Sequence, residues 1–254
     1  MTFTTSAEKT FVFVSTKTYL GYAQSLAWLD RVRALVGERP WVAESGLQIA
    51  VFPAFPLIPA AVDLFRGSPV TVGAQNVSIG AGPITGEVTA ELLTEIGAGY
   101  AEIGHAERRA LAHETDRDIA EKVAATVAAG LIPLLCVGEP TRLSTADTVS
   151  VVLAQIESAL SLSGPDIRLV IAYEPVWAIG ASRPADPGFV NEVVGALRER
   201  MPRPWPVLYG GSAGPGLLAA LPAVSGLFLG RFAHDPDNFA RVLDEARDRS
   251  AVST

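Results

Sequence analysis

The sequence predicts an α/β fold, a single (β/α)8 barrel, from three observations. About eight short apolar or β-branched runs recur along the 254 residues. Stretches with helical spacing lie between them, and most runs lack the alternation of a one-sided sheet, as expected of parallel strands covered on both faces. Strand then helix, repeated about eight times in this length, is the count of such a barrel. An open doubly wound sheet is the rival, favoured if the first and last strands do not pair. No Gly-rich dinucleotide fingerprint follows the first run, which argues against it.

The runs are Phe11 to Val14, Leu47 to Phe52, Val70 to Ala74, Tyr100 to Ile103, Leu131 to Val137, Leu169 to Tyr173, Val207 to Tyr209 and Gly226 to Leu229. Leu26, Leu29, Val32 and Leu35 or Val36 form a helical stripe closed by Gly37. Ile119, Val123 and Val127 form a second, closed by Gly130, and Val149, Val152, Leu153, Ile156 and Leu160 a third. Asp186-Pro187 and Asp235-Pro236 each supply an N-cap followed by a first-turn proline. They open helices carrying Val190, Val194 and Leu197, then Phe239, Val242 and Leu243. No linker, low-complexity segment or charge block divides the chain, so residues 1–254 are read as one domain.

Composition bounds the function. At 49% apolar the chain can bury a large core. No apolar run approaches the roughly 18 residues of a membrane span, and residues 1 to 9 are too polar for a signal peptide. The expectation is a soluble, cytoplasmic protein without a membrane partner. A single cysteine cannot form an internal bridge and fits a reducing compartment. A net charge of −7 argues against nucleic acid as a partner. It leaves room for a small anionic substrate, whose local field comes from nearby ammonium groups and helix N-termini. Three histidines, none in ligand spacing with cysteine or with each other, argue against a metal.

In a barrel the reactive side chains belong in the loops after strands. Glu174 ends the sixth run, in Ile171-Ala-Tyr-Glu-Pro-Val-Trp-Ala-Ile-Gly180. The following proline holds it extended, and an apolar wall favours its neutral form, which suits a general base. The bland reading is a solvated loop glutamate. Lys17 follows the first run, either as a surface lysine or as a cation that attracts phosphate and steadies an oxyanion. His105 follows the fourth and opens a helix, whose positive end favours neutral imidazole, a hydrogen-bond donor to a carbonyl; otherwise it is a surface cap. Glu107 and Arg108 either tune that site or pair with each other or with a neighbouring subunit. Tyr209-Gly-Gly-Ser212 and Leu229-Gly-Arg231 end the last two runs, where turns of backbone amides can form an anion nest. Cys136 reads as packed core, and Glu139 as a residue that orients neighbouring loops.

With these residues in view the chain resembles the triosephosphate isomerase family over nearly its full length. The resemblance is carried by Gly73-Ala-Gln-Asn76, Thr85-Gly-Glu87, Ile103-Gly-His105 with Glu107-Arg-Arg109, Cys136-Val-Gly-Glu139, Ala172 to Gly180 and Tyr209-Gly-Gly-Ser212. It implies a TIM barrel that isomerises a small phosphorylated aldose or ketose through an enediolate, with neither metal nor organic cofactor. Glu174 would move the proton, and His105 and Lys17 would stabilise the enediolate. The amides of Gly180, Ser212, Gly230 and Arg231 would hold the phosphate. Segment 175–185 would close over the substrate and exclude water. The family is usually a homodimer, which implies Thr85, Glu87 and Arg108 as interface residues.

Four departures stand out. Ser15 replaces the amide of the family's Asn-X-Lys, which leaves extra room beside the reacting carbons. Ala106 replaces a serine, Arg231 a glycine, and Pro184 stiffens a hinge where the family has threonine. The main expectation is interconversion of glyceraldehyde 3-phosphate and dihydroxyacetone phosphate. The alternative is a four-carbon erythrulose phosphate, since a relative acting on it shares the serine and the Gly-Arg turn; a third reading is a non-catalytic phosphate-binding barrel.

Overall fold

In the computed structural model, residues 9–252 are described. The expectation about residues 1 to 9 therefore lies almost wholly outside them. The strands are β1 Phe11–Ser15, β2 Gln48–Phe52, β3 Val70–Ala74, β4 Tyr100–Ile103, β5 Ile132–Val137, β6 Val170–Tyr173, β7 Val207–Tyr209 and β8 Gly226–Leu229. All pair in parallel in chain order, and β8 returns to β1 with Phe11 opposite Gly226 and Val14 opposite Leu229. That closing ladder excludes the open sheet.

The apolar runs lack alternation because both faces of each strand are covered. Val12 and Val14 join the outer layer between strands and helices. Phe11 and Phe13 point inward and fill the barrel with Phe52, Tyr100, Leu134 and Phe228. Phe13 and Tyr100 meet edge to face at 5.0 Å, and Phe52 and Phe228 at 5.7 Å. Side chains alternate along a strand, so the next inward positions toward the C-terminal end are Ser15 on β1 and Glu102 on β4. The aromatic plug thus forms a floor on which polar side chains stand.

The helices are α1 Tyr22–Gly37, α2 Trp41–Glu44, α3 Ile58–Phe65, α4 Ala90–Ile96, α5 Ala106–Leu111, α6 Asp116–Ala128, α7 Thr145–Ala159, α8 Pro187–Arg200 and α9 Pro236–Val252. The Asp186 carboxyl accepts from Phe189 N–H and fixes the start of α8, a cap worth about 1 kcal/mol. Trp28 Nε1 donates to Ala233 O at 2.8 Å and ties α1 to the loop after β8. The expected strand-helix count needs one correction. Between β7 and β8 only the 3-10 turn Leu218–Ala220 stands where a full helix was expected. Residues 210–216 carry six of the turn-forming residues Gly, Ser and Pro, which leaves too little chain for more.

Candidate active site

The C-terminal ends of β1, β4, β6, β7 and β8 surround a cavity of about 170 Å3. Ser15, Lys17, His105, Glu107 and Glu174 all border it. So do Gly180, Ser212, Gly230 and Arg231 from the loops after β6, β7 and β8. Side chains distant in sequence, each placed by a different strand, therefore meet at one opening.

Lys17 leaves β1 in the left-handed region at φ 48°. A residue with a side chain occupies that region at a cost of about 1–3 kcal/mol, which the surroundings must enforce. Gln75 Nε2 does so, donating to Lys17 O at 3.1 Å and to Phe52 O at 2.8 Å. The ammonium donates to Glu107 Oε1 at 2.6 Å. Burial works against its charge, but the hydrogen bond and charge of Glu107, with Glu174 and Glu102 beyond, lift it above the ordinary lysine value. Lys17 is thus a fixed cation at the cavity, not a solvated surface lysine.

His105 is turned out of β4 by Gly104, at φ 75°, and caps α5. Its Nδ1 accepts Glu107 N–H at 3.1 Å, so the neutral ring carries its proton on Nε2. Nε2 lies 3.4 Å from Glu174 Oε2. Glu174 is only 5% exposed, and its Oε2 has no hydrogen-bond partner. Its backbone is pinned by Glu174 N–H donating to Val137 O at 2.8 Å. A hydrogen-bond donor, a cation and a buried carboxylate with a free oxygen can together take a proton from carbon and stabilise the oxyanion that forms.

Segment 175–185 is fastened at both ends. Glu139, fully buried, accepts from Trp177 Nε1 at 2.7 Å and from the Tyr173 hydroxyl at 3.2 Å, as a residue that orients neighbouring loops should. Burial raises the Glu139 carboxyl, against the pull of these donors. Farther along, Ser212 Oγ donates to Ala178 O at 2.8 Å and to Ala181 O at 3.1 Å, while Ala185 N–H donates to the Tyr209 hydroxyl at 2.8 Å. Cys136 lies inside the barrel, its thiol pushed well up by burial and by the nearby carboxylates Glu174 and Glu102.

Glu107 pairs with Lys17, and Arg108 with Glu114, which also takes Lys122 Nζ at 2.5 Å. The pairing of Glu107 with Arg108 is thus corrected: the two side chains leave the short helix α5 in different directions. Thr85 and Glu87 are exposed on the segment between β3 and α4.

Sequence reasoning missed Glu102. It is 4% exposed in the otherwise apolar strand β4, and burial pushes its carboxyl up from 4.5 to about 7. His105 and Lys17 partly oppose that rise, and Glu174 adds to it. The folded protein therefore holds this proton more tightly than the unfolded chain. The stabilisation is complete below about pH 4.5 and is lost as pH rises through about 7, a swing of about 3 kcal/mol. Urea unfolding across that range should show Glu102→Gln losing about 3 kcal/mol less stability than the parent as pH rises. Parallel stability curves would contradict the buried carboxyl.

The family model described as triosephosphate isomerase matches residues 10–246. A Pectobacterium atrosepticum protein named L-erythrulose-1-phosphate isomerase is 45% identical over 251 residues, 95% of this chain and 97% of that protein. A Synechococcus protein named triosephosphate isomerase is 38% identical over 76% of this chain and 79% of its own length. Among solved structures, triosephosphate isomerase from Bartonella henselae superposes with a TM-score of 0.75 at 28% identity, covering 94% of this chain and 99% of that one.

Proposed function

This chain belongs to the triosephosphate isomerase family and is an isomerase, and we propose from that premise that it interconverts four-carbon erythrulose phosphates. The observation that carries the four-carbon reading is Ser15. It puts a short side chain at the cavity, beside the groups placed to move a proton. L-erythrulose 1-phosphate is dihydroxyacetone phosphate with a hydroxymethyl group added to the carbon that loses its proton. Extra room is needed at that end and nowhere else. The similarity to the Pectobacterium enzyme over almost the whole of both chains supports the same substrate.

In this mechanism the Glu174 carboxylate removes the proton from the hydroxyl-bearing carbon next to the carbonyl. The electron pair passes to the carbonyl oxygen, and the enediolate is held by the Lys17 ammonium and the His105 Nε2–H. His105 Nε2 gives its proton to the former carbonyl oxygen and takes one from the hydroxyl on the adjacent carbon, and Glu174 returns its proton to the former carbonyl carbon, which moves the carbonyl by one position. Gly180, Ser212, Gly230 and Arg231 hold the phosphate, with the Arg231 guanidinium adding a positive charge that a glycine lacks. Segment 175–185 excludes water from the enediolate. The reaction is an internal proton transfer that these side chains can carry without a cofactor.

The second reading is interconversion of the triose phosphates, favoured by relatives such as the Synechococcus enzyme. The two substrates differ by one hydroxymethyl group, so discrimination is expected to be modest, about 1 to 3 kcal/mol. A panel of L-erythrulose 1-phosphate, D-erythrulose 4-phosphate and glyceraldehyde 3-phosphate with purified protein should give the higher kcat/KM on the four-carbon pair. Turnover of the triose alone would return the assignment to the second reading.

We further infer a homodimer in the cytoplasm. Exposed Thr85 and Glu87, with Ile79 at 45% and Leu111 at 80% exposure, supply a surface suited to a second copy. Light scattering at micromolar concentration should give twice the chain mass. A mass of one chain would refute the dimer.

A further inference from the structure

The loop after β1 brings another side chain to the cavity besides Lys17, and the proton transfer does not use it. Tyr19 borders the opening although the residue is 59% exposed. The rings of Phe228 and Phe232 there are wholly apolar, so among the phenyl-type rings at the cavity Tyr19 alone ends in a hydroxyl. That hydroxyl makes no hydrogen bond to another described residue. The Tyr19 ring rests on the ring of His234, centroid to centroid at 5.1 Å. His234 closes the 3-10 turn Arg231–His234, whose cap is Gly230. The turn is tied down by Trp28 Nε1 donating to Ala233 O and by Asn238 Nδ2 donating to Phe232 O at 2.9 Å. Tyr19 is therefore packed on the same turn that brings Gly230 and Arg231 to the cavity.

The charges near Tyr19 suit an anion. The Arg231 guanidinium has no hydrogen bond or ion pair within the described residues, whereas Lys17 is already paired with Glu107. Burial and the charges of Arg231 and Lys17 hold the His234 imidazole below the ordinary histidine value, so the ring beneath Tyr19 is neutral at pH 7. A phenol is a neutral donor, and a hydrogen bond from it to a phosphate oxygen is charge-assisted.

We propose that Tyr19 is a phosphate-binding residue, its hydroxyl donating to the substrate's phosphate and its ring positioned by His234. The proposal rests on the placement of that phosphate among Gly180, Ser212, Gly230 and Arg231. Those four come from the loops after β6, β7 and β8, and Tyr19 comes from the loop after β1. One loop thereby reaches both ends of the substrate, with Lys17 at the oxyanion and Tyr19 at the phosphate. The reaction leaves the phosphate unaltered, so this bond is equally strong before and during proton transfer. Its loss should appear in KM and not in kcat.

Tyr19→Phe keeps the ring and its stack on His234 and removes only the hydroxyl. Steady-state kinetics, on whichever sugar phosphate the protein turns over, should show KM raised roughly 10- to 100-fold with kcat within about threefold, the loss of one hydrogen bond to a charged group. Inorganic phosphate, used as a competitive inhibitor, should lose affinity by a similar factor, because it fills the phosphate end alone. Tyr19→Ala should lose no more than about threefold beyond Tyr19→Phe. An unchanged KM in Tyr19→Phe overturns the proposal. So does a raised KM with undiminished inhibition by inorganic phosphate, which would put the hydroxyl on another part of the substrate. A loss seen in Tyr19→Ala alone would assign the effect to the ring and overturn the role of the hydroxyl. Failure of inorganic phosphate to inhibit the parent would instead remove the phosphate placement, and the proposal with it, an outcome read without any variant.

Discussion

Glu174→Gln lowers kcat by about a thousand- to ten-thousandfold while KM stays within about threefold. The amide keeps the shape of the carboxylate but cannot accept a proton from carbon, and general-base catalysis supplies an acceleration of about that size. Substrate affinity should be nearly unchanged, because the residues proposed to hold the phosphate, Gly180, Ser212, Gly230 and Arg231, do not include this side chain. Steady-state kinetics on the preferred substrate checks it. An unchanged kcat would remove Glu174 from the reaction, and a loss confined to KM would make it a binding residue.

Gly210→Ala tests the same carboxylate through its neighbour. A methyl group at position 210 would lie 2.3 Å from Glu174 Oε1 and 2.6 Å from its Cγ. No real contact is that short, so the side chain of Glu174 must move. Displacing a catalytic group by about 1 Å costs on the order of 100-fold in rate. The expected result is a drop in kcat of about 100-fold with thermal stability close to the parent's, since the colliding group is a side chain facing the cavity. A protein of full activity would mean that Glu174 tolerates displacement. A protein that fails to fold would place the strain in the barrel, not in the base.

The barrel was legible because parallel strands covered on both faces leave continuous apolar runs, and these matched the strands to within a residue at either end. The first apolar run ends at Val14, yet Ser15 also belongs to β1, where it pairs with Phe52; a polar residue at a strand's last position gives no local sign of the pairing. Helix α3 contains Pro59, and α4 spans only Ala90–Ile96, so neither carries a stripe long enough to recognise. Lys17, His105 and Glu174 were each ambiguous alone. Their common position after strands, which barrel geometry brings together, gave them weight. Glu102 was overlooked although alternation from Tyr100 would have turned it inward, because a lone glutamate in a short strand is ordinarily a solvated one. Local sequence does not record what a closed sheet surrounds. The family resemblance also left the substrate open, since relatives named for the triose and for the tetrulose phosphate both match most of the chain.

The most direct measurement is proton NMR of L-erythrulose 1-phosphate incubated with the enzyme in deuterium oxide. Removal of a proton by Glu174 predicts deuterium at the carbons next to the carbonyl, at a rate that follows enzyme concentration and is lost in Glu174→Gln. Isomerisation with no deuterium entering substrate or product, at the same rate in parent and variant, would show that the carbonyl moves without the proposed base and would contradict the account.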